Sequence, residues 1–353
     1  MSTKYIPFLK FKQNEIRALK DTLESSLDCI TPFFDIPRDL QENSVDKIKK
    51  TLNSGLKELT KKWPNEKSFY MDCMDIPTLT LSDGSNIYYH ILKHTLAENL
   101  RVIPVIAFNR DPSHNTAVET ILNEYSLKNV AIRLDRQDIS DPDDFLDNLS
   151  DIRLNFKEIN VDLFLDIKII KSEAEMNEQI SEILNFKSQI DLKKDFEISK
   201  ISTPSSSIKY TFSPPKKSKK IKRFEGIIFE TLKKPIDNMT YSDYGIVSPE
   251  YADSAIPANI MQRVSTPKVI YTEKFTYQTY RGGSFESHPR RKNQFHDIAR
   301  EIVSSPEYRG SAYSSGDKFI HQKSLTDNNP SSQGQWYRML NNAHFEYIIS
   351  DFL

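Results

Sequence analysis

The sequence predicts an α/β fold, a (β/α)8 TIM-barrel-like body with a β-rich and α-helical segment appended after it. Three observations predict it. Strand-like runs alternate with amphipathic helical segments at spacings of about 25–40 residues, as parallel strands joined by helical crossovers require. Eight such runs precede residue 250, enough to close a barrel. In several of them one face starts apolar and ends charged, and a strand buried on both faces tolerates charge only where it reaches water or a partner. That place is the C-terminal strand end, so the charged groups gather at one mouth.

The first strand, Lys4 to Lys12, places Tyr5, Leu9 and Phe11 on one side with Pro7, and Ile6, Phe8, Lys10 and Lys12 on the other. Ile16, Leu19 and Leu23 then fall at helical spacing in a segment ending near Ser26. In Cys29 to Pro37, Phe34 and Ile36 oppose Thr31, Phe33 and Asp35. Val45, Ile48, Leu52, Leu56 and Leu59 mark an amphipathic helix. The third strand, Phe69 to Asp75, sets Met71 and Cys73 against Tyr70 and Asp72. A helix from about Asn86, a strand from Val102 to Arg110 and a helix through Val118, Ile121 and Leu122 follow.

Val130, Ile132 and Leu134 form the apolar face of a fifth strand whose other face carries Arg133, and Phe145, Leu149 and Ile152 belong to a helix. The sixth strand, Val161 to Ile170, sets Leu163, Leu165 and Ile167 against Phe164, Asp166 and Lys168. The seventh, Phe196 to Ile201, is the weakest, and the eighth ends in Tyr241 to Val247. Between them lies Lys216 to Arg223, six basic residues in eight. That run reads as a solvated face or loop, with polyanion contact as the alternative.

These runs place the barrel at residues 1–250 and the appended segment at 251–353, packed on the barrel near its mouth. Pro267 to Tyr280 is β-rich, helical spacing returns at Phe295, Ile298 and Ile302, and Phe345 to Ile349 is strand-like. At 353 residues the chain is long for one domain unless that domain is a barrel. A formal net charge of −1 gives no global drive toward nucleic acid or anionic membrane, so such contact needs a local patch. Cys29 and Cys73 lie in apolar runs and read as buried free thiols, with no zinc or disulfide spacing. With no apolar leader and no run of about 18 apolar residues, a cytoplasmic protein without membrane contact is expected. Neither Gly-x-Gly-x-x-Gly, a Walker sequence nor a Gly-x-Ser-x-Gly elbow occurs, which argues against dinucleotide, P-loop and α/β-hydrolase chemistry.

Six short pieces carry a family resemblance: Tyr5 to Lys12, Ile30 to Pro37, Ser242 to Ile246, Arg281-Gly282, Tyr313-Ser314-Ser315-Gly316-Asp317 and Trp336-Tyr337-Arg338. In this order, spanning nearly the whole chain, they resemble the phage-type beta protein family, often labelled "beta family protein". Asp35 stands where that family typically carries Glu, and Asn342-Ala343-His344-Phe345 keeps one histidine where a His-His pair is usual. A role needing both imidazoles therefore does not carry over. The resemblance implies a setting of phage–host conflict, because some members lie near genes linked to anti-phage defence. It supplies no reaction.

Strand parity puts Lys10, Lys12, Asp35, Asp72, Arg133, Asp166 and Asp243 on inward faces near strand ends, with Tyr244 beside them. So many carboxylates in one mouth need cations or protons between them. Either Mg²⁺ or Mn²⁺ binds Asp35, Asp72 and Asp166, or Lys10, Lys12, Arg133 and Arg281 neutralise them in a salt-bridged mesh. Lysines with a carboxylate-bound metal would suit phosphoester chemistry, with His344 or Asp317 of the C-terminal segment as acid or base. The expected catalytic set is therefore Lys10, Asp35, Asp72, Asp166, Asp243, Arg281, Asp317 and His344, with Lys12, Arg133, Tyr244, Trp336 and Arg338 binding ligand. The polar side chains of the appended segment are expected to point into the mouth, where buried charge finds partners. His344 as a structural histidine, Asp317 as a turn cap and Trp336 as an anchor are the competing readings, and His90 with His94 reads as a surface pair. The function expected is a barrel whose mouth binds, and in one reading hydrolyses, a nucleotide or nucleic acid. The alternatives are recognition of a protein partner, such as one of a defence system, and metal-dependent hydrolysis of another small molecule.

Overall fold

In the first strand an unbroken apolar run ends in a lysine, and the second and third strands likewise end in a charged residue, Asp35 and Asp72. The computed structural model describes residues 3–39, 43–61, 63–143, 145–148, 159–191, 197–209, 218–251 and 265–353. Strands β1 (Tyr5–Lys10), β2 (Phe33–Asp35), β3 (Ser68–Asp72), β4 (Arg101–Ile106), β5 (Asn129–Leu134) and β6 (Asn160–Leu165) come first. The strands β7 (Lys168–Ile169) and β9 (Ser205–Ser206) pair as a separate two-stranded parallel sheet on either side of β8 (Ile198–Ser202) in the chain, and β10 (Lys219–Lys222) precedes β11 (Tyr241–Asp243). Helices α1 (Gln13–Lys20), α2 (Glu24–Leu27), α3 (Val45–Leu59), α4 (Ile87–Ala97), α5 (Pro112–Tyr125), α6 (Arg136–Ser140), α7 (Glu173–Asp191) and α8 (Phe224–Leu232) lie between them.

Eight strands form one parallel sheet in the order β11-β1-β2-β3-β4-β5-β6-β8. A parallel bridge between Ile201 and Met239 joins its two ends, so the sheet is nearly closed into a barrel. Strand alternation separates two apolar layers. Ile6, Phe8, Phe33, Tyr70, Ile103, Val105, Ala131, Phe164 and Tyr244 pack together inside. Tyr5, Leu9, Phe34, Met71, Val102, Val130 and Tyr241 face the helices. Phe8 and Phe33 stack at 4.0 Å and Phe164 meets both edge-on. Each such ring contributes roughly 1.5–3 kcal/mol by burial, and together they fill the barrel below its mouth.

The chain continues as β12 (Lys268–Thr272) and β13 (Thr276–Arg281), which form an antiparallel sheet with β10 in the order β10-β13-β12. Helices α9 (Gln294–Val303), α10 (Ser315–Ser324) and α11 (Gln333–Tyr347) follow, and a π-helical turn spans Ile348–Phe352. Phe345 to Ile349 is thus helical rather than a strand. A short apolar run is ambiguous by periodicity alone, and here it prolongs the stripe of Trp336, Leu340 and His344. A second apolar cluster built on Tyr271, Tyr277, Phe295, Phe319 and Trp336 also takes in Ile208 and Ile246.

Within the basic run, Lys216 and Lys217 lie outside the described residues. Lys219 to Lys222 form the edge strand β10, where lysines discourage edge-to-edge pairing. Lys220 pairs with Glu273 and Glu307, and Lys222 with Glu173. Arg223 is buried, donating to the Tyr241 hydroxyl at 2.8 Å and to two backbone carbonyls at 2.9 Å. No helix among the described residues is long and apolar enough to cross a membrane.

Candidate functional site

Parallel register puts Lys10, Asp35 and Asp72 in one row across β1, β2 and β3. Arg133 reaches this row from β5. Its Nη1 donates to Asp35 at 2.6 Å and to Asp72 at 3.0 Å. Its Nε and Nη2 donate to one Asp166 oxygen at 3.0 and 2.7 Å, and Nη2 also donates to the Tyr244 hydroxyl at 3.1 Å. The Tyr244 hydroxyl in turn donates to the other Asp166 oxygen at 2.7 Å. The five guanidinium N–H groups thus all find acceptors, on four oxygens, the arrangement that makes a buried charge tolerable. Beneath it the Phe8 and Phe33 rings lie 5.3 and 5.1 Å from the Arg133 carbon, favourable cation–π geometry.

Arg133, Asp35, Asp72, Asp166 and Tyr244 are all buried. Burial opposes the Arg133 charge, but Asp35 and Asp166 hold its protonation well above the usual range. Burial likewise would raise the Asp72 carboxyl, yet Arg110 and Arg133 keep it well below the usual carboxylate range. Burial and Asp166 push the Tyr244 phenol up. For these three groups the charge state is fixed across neutral pH. The guanidinium bonds one oxygen each of Asp35, Asp72 and Asp166, the carboxylates that one of the two readings gave to Mg²⁺ or Mn²⁺ and the other to a salt-bridged mesh. Among the described residues no group of three or more His, Cys, Asp or Glu side chains is arranged to hold a metal ion.

The outer rim of the mouth adds Lys10, which pairs with Asp75 and lies 3.6 Å from Asp35. Tyr251 donates to Asp75 at 2.8 Å, and Lys10 and Arg38 flank its ring at 4.6 and 4.7 Å. Lys12 stays outside the mesh as an exposed residue before α1, because β1 ends at Lys10 and parity lapses there.

Beside the mesh, at the C-terminal ends of β3 and β4, lies a cavity of about 330 Å³ lined by Cys73, Thr78, Asn86, Asn109, Arg110 and His114 among others. Arg110 forks onto both oxygens of Asp72, at 2.7 Å for Nη2. Asn86 and Asp111 cap α4 and α5 there, accepting from Tyr88 N at 2.8 Å and Ser113 N at 2.9 Å, so both helix N-termini open on the cavity. On its floor, Cys73 Sγ lies 3.5 Å from His114 Nδ1. His114 Nε2 lies 2.9 Å from the Val105 carbonyl. A carbonyl only accepts, so at this shorter contact Nε2 carries the proton, the Arg110 Nη1 3.2 Å away makes no hydrogen bond to it, and Nδ1 receives the thiol hydrogen. Burial and Arg110 push His114 down to about 4, and burial and Asp72 push the Cys73 thiol up. Such a pair does not form a thiolate at neutral pH.

The remaining expected site residues lie elsewhere. Asp243 faces the helices, not the mouth, because Tyr241 is in register with outward-facing Tyr5. It accepts from the Tyr5 and Tyr241 hydroxyls, both at 2.6 Å, from Gly245 N at 2.9 Å and from His344 Nε2 at 3.0 Å. His344 is buried on α11, with Thr272 Oγ1 2.8 Å from its Nδ1. Asp317 bonds Tyr271 and Ser314. Arg338 forks onto Asp21 at the end of α1, at 2.5 and 2.7 Å. Trp336 is buried between Phe295 and Phe319, each 5.1 Å away. Arg281, in register with Lys268, lines a separate cavity. Apart from Tyr251 at the rim, the appended segment therefore docks on α1 and the outer face of β1 and β11, where Asp317, Arg338 and His344 find partners without entering the mouth. His90 and His94 stack on each other along α4.

Arg110, Asp75, Tyr251 and His114 were not singled out in the sequence. Each sits in a loop or helix beyond its strand, where alternation no longer fixes direction. Only the positions of Asp75 and Arg110, closing the third and fourth strand-like runs, offered a signal. A family model described as Beta protein matches residues 5–350, nearly the whole chain, and the chain belongs to that family. No curated protein matches it.

Proposed function

We propose that this member of the Beta protein family is a cytoplasmic (β/α)8-type barrel whose mouth binds a phosphate-bearing ligand, a nucleotide or the end of a nucleic acid. The observation that carries the reading is the cavity of about 330 Å³ between the loops after β3 and β4. Arg110 lines it, and the N-termini of α4 and α5 open on it. A helix N-terminus carries roughly half a positive charge and unpaired N–H groups; the Asp111 carboxylate already caps α5, so it is the α4 terminus, capped by the neutral Asn86, that with the Arg110 guanidinium favours an anion. The site's place at the strand C-termini is where barrels of this class carry function. The setting of phage–host conflict rests on the resemblance.

Binding is favoured over hydrolysis. Arg133, Asp72 and Tyr244 are held in one charge state, the Cys73 thiol stays protonated, and His114 is neutral near pH 7. A general acid or base needs a pKa near the working pH, and none of these groups has one.

The test uses Thr78, an exposed residue of the cavity lining that takes no part in the mesh. In calorimetric titrations of the full chain with ATP and with a 5′-phosphorylated oligonucleotide, Thr78→Glu should weaken binding about tenfold by repulsion, the effect of roughly 1.4 kcal/mol. Thr78→Gln, equal in size but neutral, should bind as the parent does. Equal binding by both variants and parent would place the ligand elsewhere.

A further inference from the structure

A larger cavity, about 700 Å³, lies in the appended segment between the β12–β13 hairpin, the turn before α9 and the start of α11. Lys268, Arg281 and Lys292 line it, and among the described residues no carboxylate does. Three cations converge there in a chain whose formal net charge is −1.

Lys268 and Arg281 are direct cross-strand neighbours in the antiparallel pair of β12 and β13. Like charges directly opposite on a ladder are destabilising. Partial desolvation and Arg281 both push the Lys268 ammonium down from its ordinary value, although the residue reaches solvent. A bound anion would relieve that repulsion.

The opposite wall is the N-terminus of α11, a 15-residue helix capped by Ser332, whose Oγ accepts from Gln335 N at 3.2 Å. Gln333 brackets Lys268 by accepting from its backbone N–H at 3.3 Å and donating to its carbonyl at 2.9 Å, which fixes the helix start against the strand that carries the cation. Helix dipole and side-chain cations therefore point the same way. Phe285 supplies an apolar wall, packed on Phe295 with ring centroids 5.9 Å apart. The volume lies within the range of small-molecule sites, and an aromatic face beside a cationic cluster suits a base attached to phosphates.

We infer that this cavity is a second binding site, distinct from the mouth, for a phosphate-bearing ligand of mononucleotide size. The phosphates lie against Lys268, Arg281, Lys292 and the first turn of α11, and the base lies on Phe285. The site stands independently of the reading proposed for the mouth.

Calorimetric titration of the full chain with ATP and with inorganic pyrophosphate tests it. Lys268 and Lys292 are exposed and carry no ion pair in the described structure, so Lys268→Ala with Lys292→Ala should leave the unfolding midpoint unchanged. The double variant should lose ten- to hundredfold in affinity for both probes at this site. Phe285→Ala should weaken ATP several-fold and leave pyrophosphate unchanged. Thr78→Glu, which acts at the mouth, should leave these losses as they are. Full affinity of the double variant for both probes, or no binding of either probe by the parent chain, would overturn the site. Equal effects of Phe285→Ala on both probes would overturn the placement of the base.

Discussion

Asp243 and His344, 101 residues apart, meet at 3.0 Å in a fully buried contact that fastens α11 to the outer face of β11. Burial would raise the Asp243 carboxyl, but His344 and Arg223 hold it down to about 2. Burial pushes His344 down, so the neutral imidazole donates from Nε2 and accepts from Thr272 at Nδ1. Asp243 thus has four donors and no route to solvent. The pair resembles a catalytic couple only in composition, and its geometry is that of a clamp between barrel and appended segment.

The clamp predicts that His344→Phe, which keeps ring packing against Tyr5 and Phe345, destabilises the fold while leaving ligand affinity unchanged. It leaves Asp243 one donor short and Thr272 unpartnered, a loss of about 1–3 kcal/mol. Urea unfolding followed by circular dichroism measures it. An unaltered midpoint would mean that Tyr5, Tyr241 and Gly245 suffice for Asp243.

Arg133 carries a larger consequence. Replacing it with Met leaves Asp35, Asp72 and Asp166 buried without their shared cation, and breaking such a network typically costs about 3–5 kcal/mol. Arg133→Met should therefore unfold far more readily than the parent, or accumulate as inclusion bodies. Adding Asp35→Asn and Asp166→Asn should restore much of the loss, because the amides need no counter-charge. Failure of the triple variant to recover would show that geometry, rather than charge balance, is what Arg133 supplies.

The mesh also shows which part of the site alternation could reveal. Lys10, Asp35, Asp72, Arg133 and Asp166 converge because each sits on or one residue past a strand whose period of two fixes direction. Asp243 breaks the rule by one position: its strand is three residues long, and only the Tyr5–Tyr241 register says which face it takes. Arg281, Asp317, Arg338 and His344 belong to a segment outside the barrel repeat, so their destinations depend on docking, which periodicity does not encode. Arg110 and His114 lie beyond β4, in a loop and on a helix, and their approach to Asp72 and Cys73 is a tertiary fact.

His114 makes stability depend on pH in a defined direction. Its folded value of about 4 lies below the ordinary histidine value of 6.5. Between these values the unfolded chain binds the proton and the folded chain does not, so stability rises with pH. This contribution is complete above about 6.5 and falls by about 3 kcal/mol as pH drops toward 4. Urea midpoints between pH 7 and pH 4 should decline in the parent and decline less steeply in His114→Gln. Parallel profiles would show that other groups, His344 among them, carry the dependence.

The sequence Tyr313-Ser314-Ser315-Gly316-Asp317 finds its reason in packing. Ser314 caps α10 by accepting from Asp317 N at 2.9 Å, and Asp317 turns inward to Tyr271. Gly316 lies where α10 crosses α11: a Cβ there would stand 2.1 Å from the Met339 carbonyl oxygen and 2.9 Å from Ala343 N. Backbone atoms cannot yield as a flexible side chain does, so the two helices must move apart. Overpacking of this kind typically costs about 1–3 kcal/mol, and separation here would also disturb His344 one residue beyond Ala343. Gly310 provides the contrast, with φ of +93° but nothing within 4 Å of an added Cβ. Gly310→Ala should cost only the backbone term, about 1 kcal/mol, whereas Gly316→Ala should cost more and show reduced protection of the α11 amides in hydrogen exchange. Protection of α11 equal in the two variants would mean that the close approach at Gly316 is not what seats the helix.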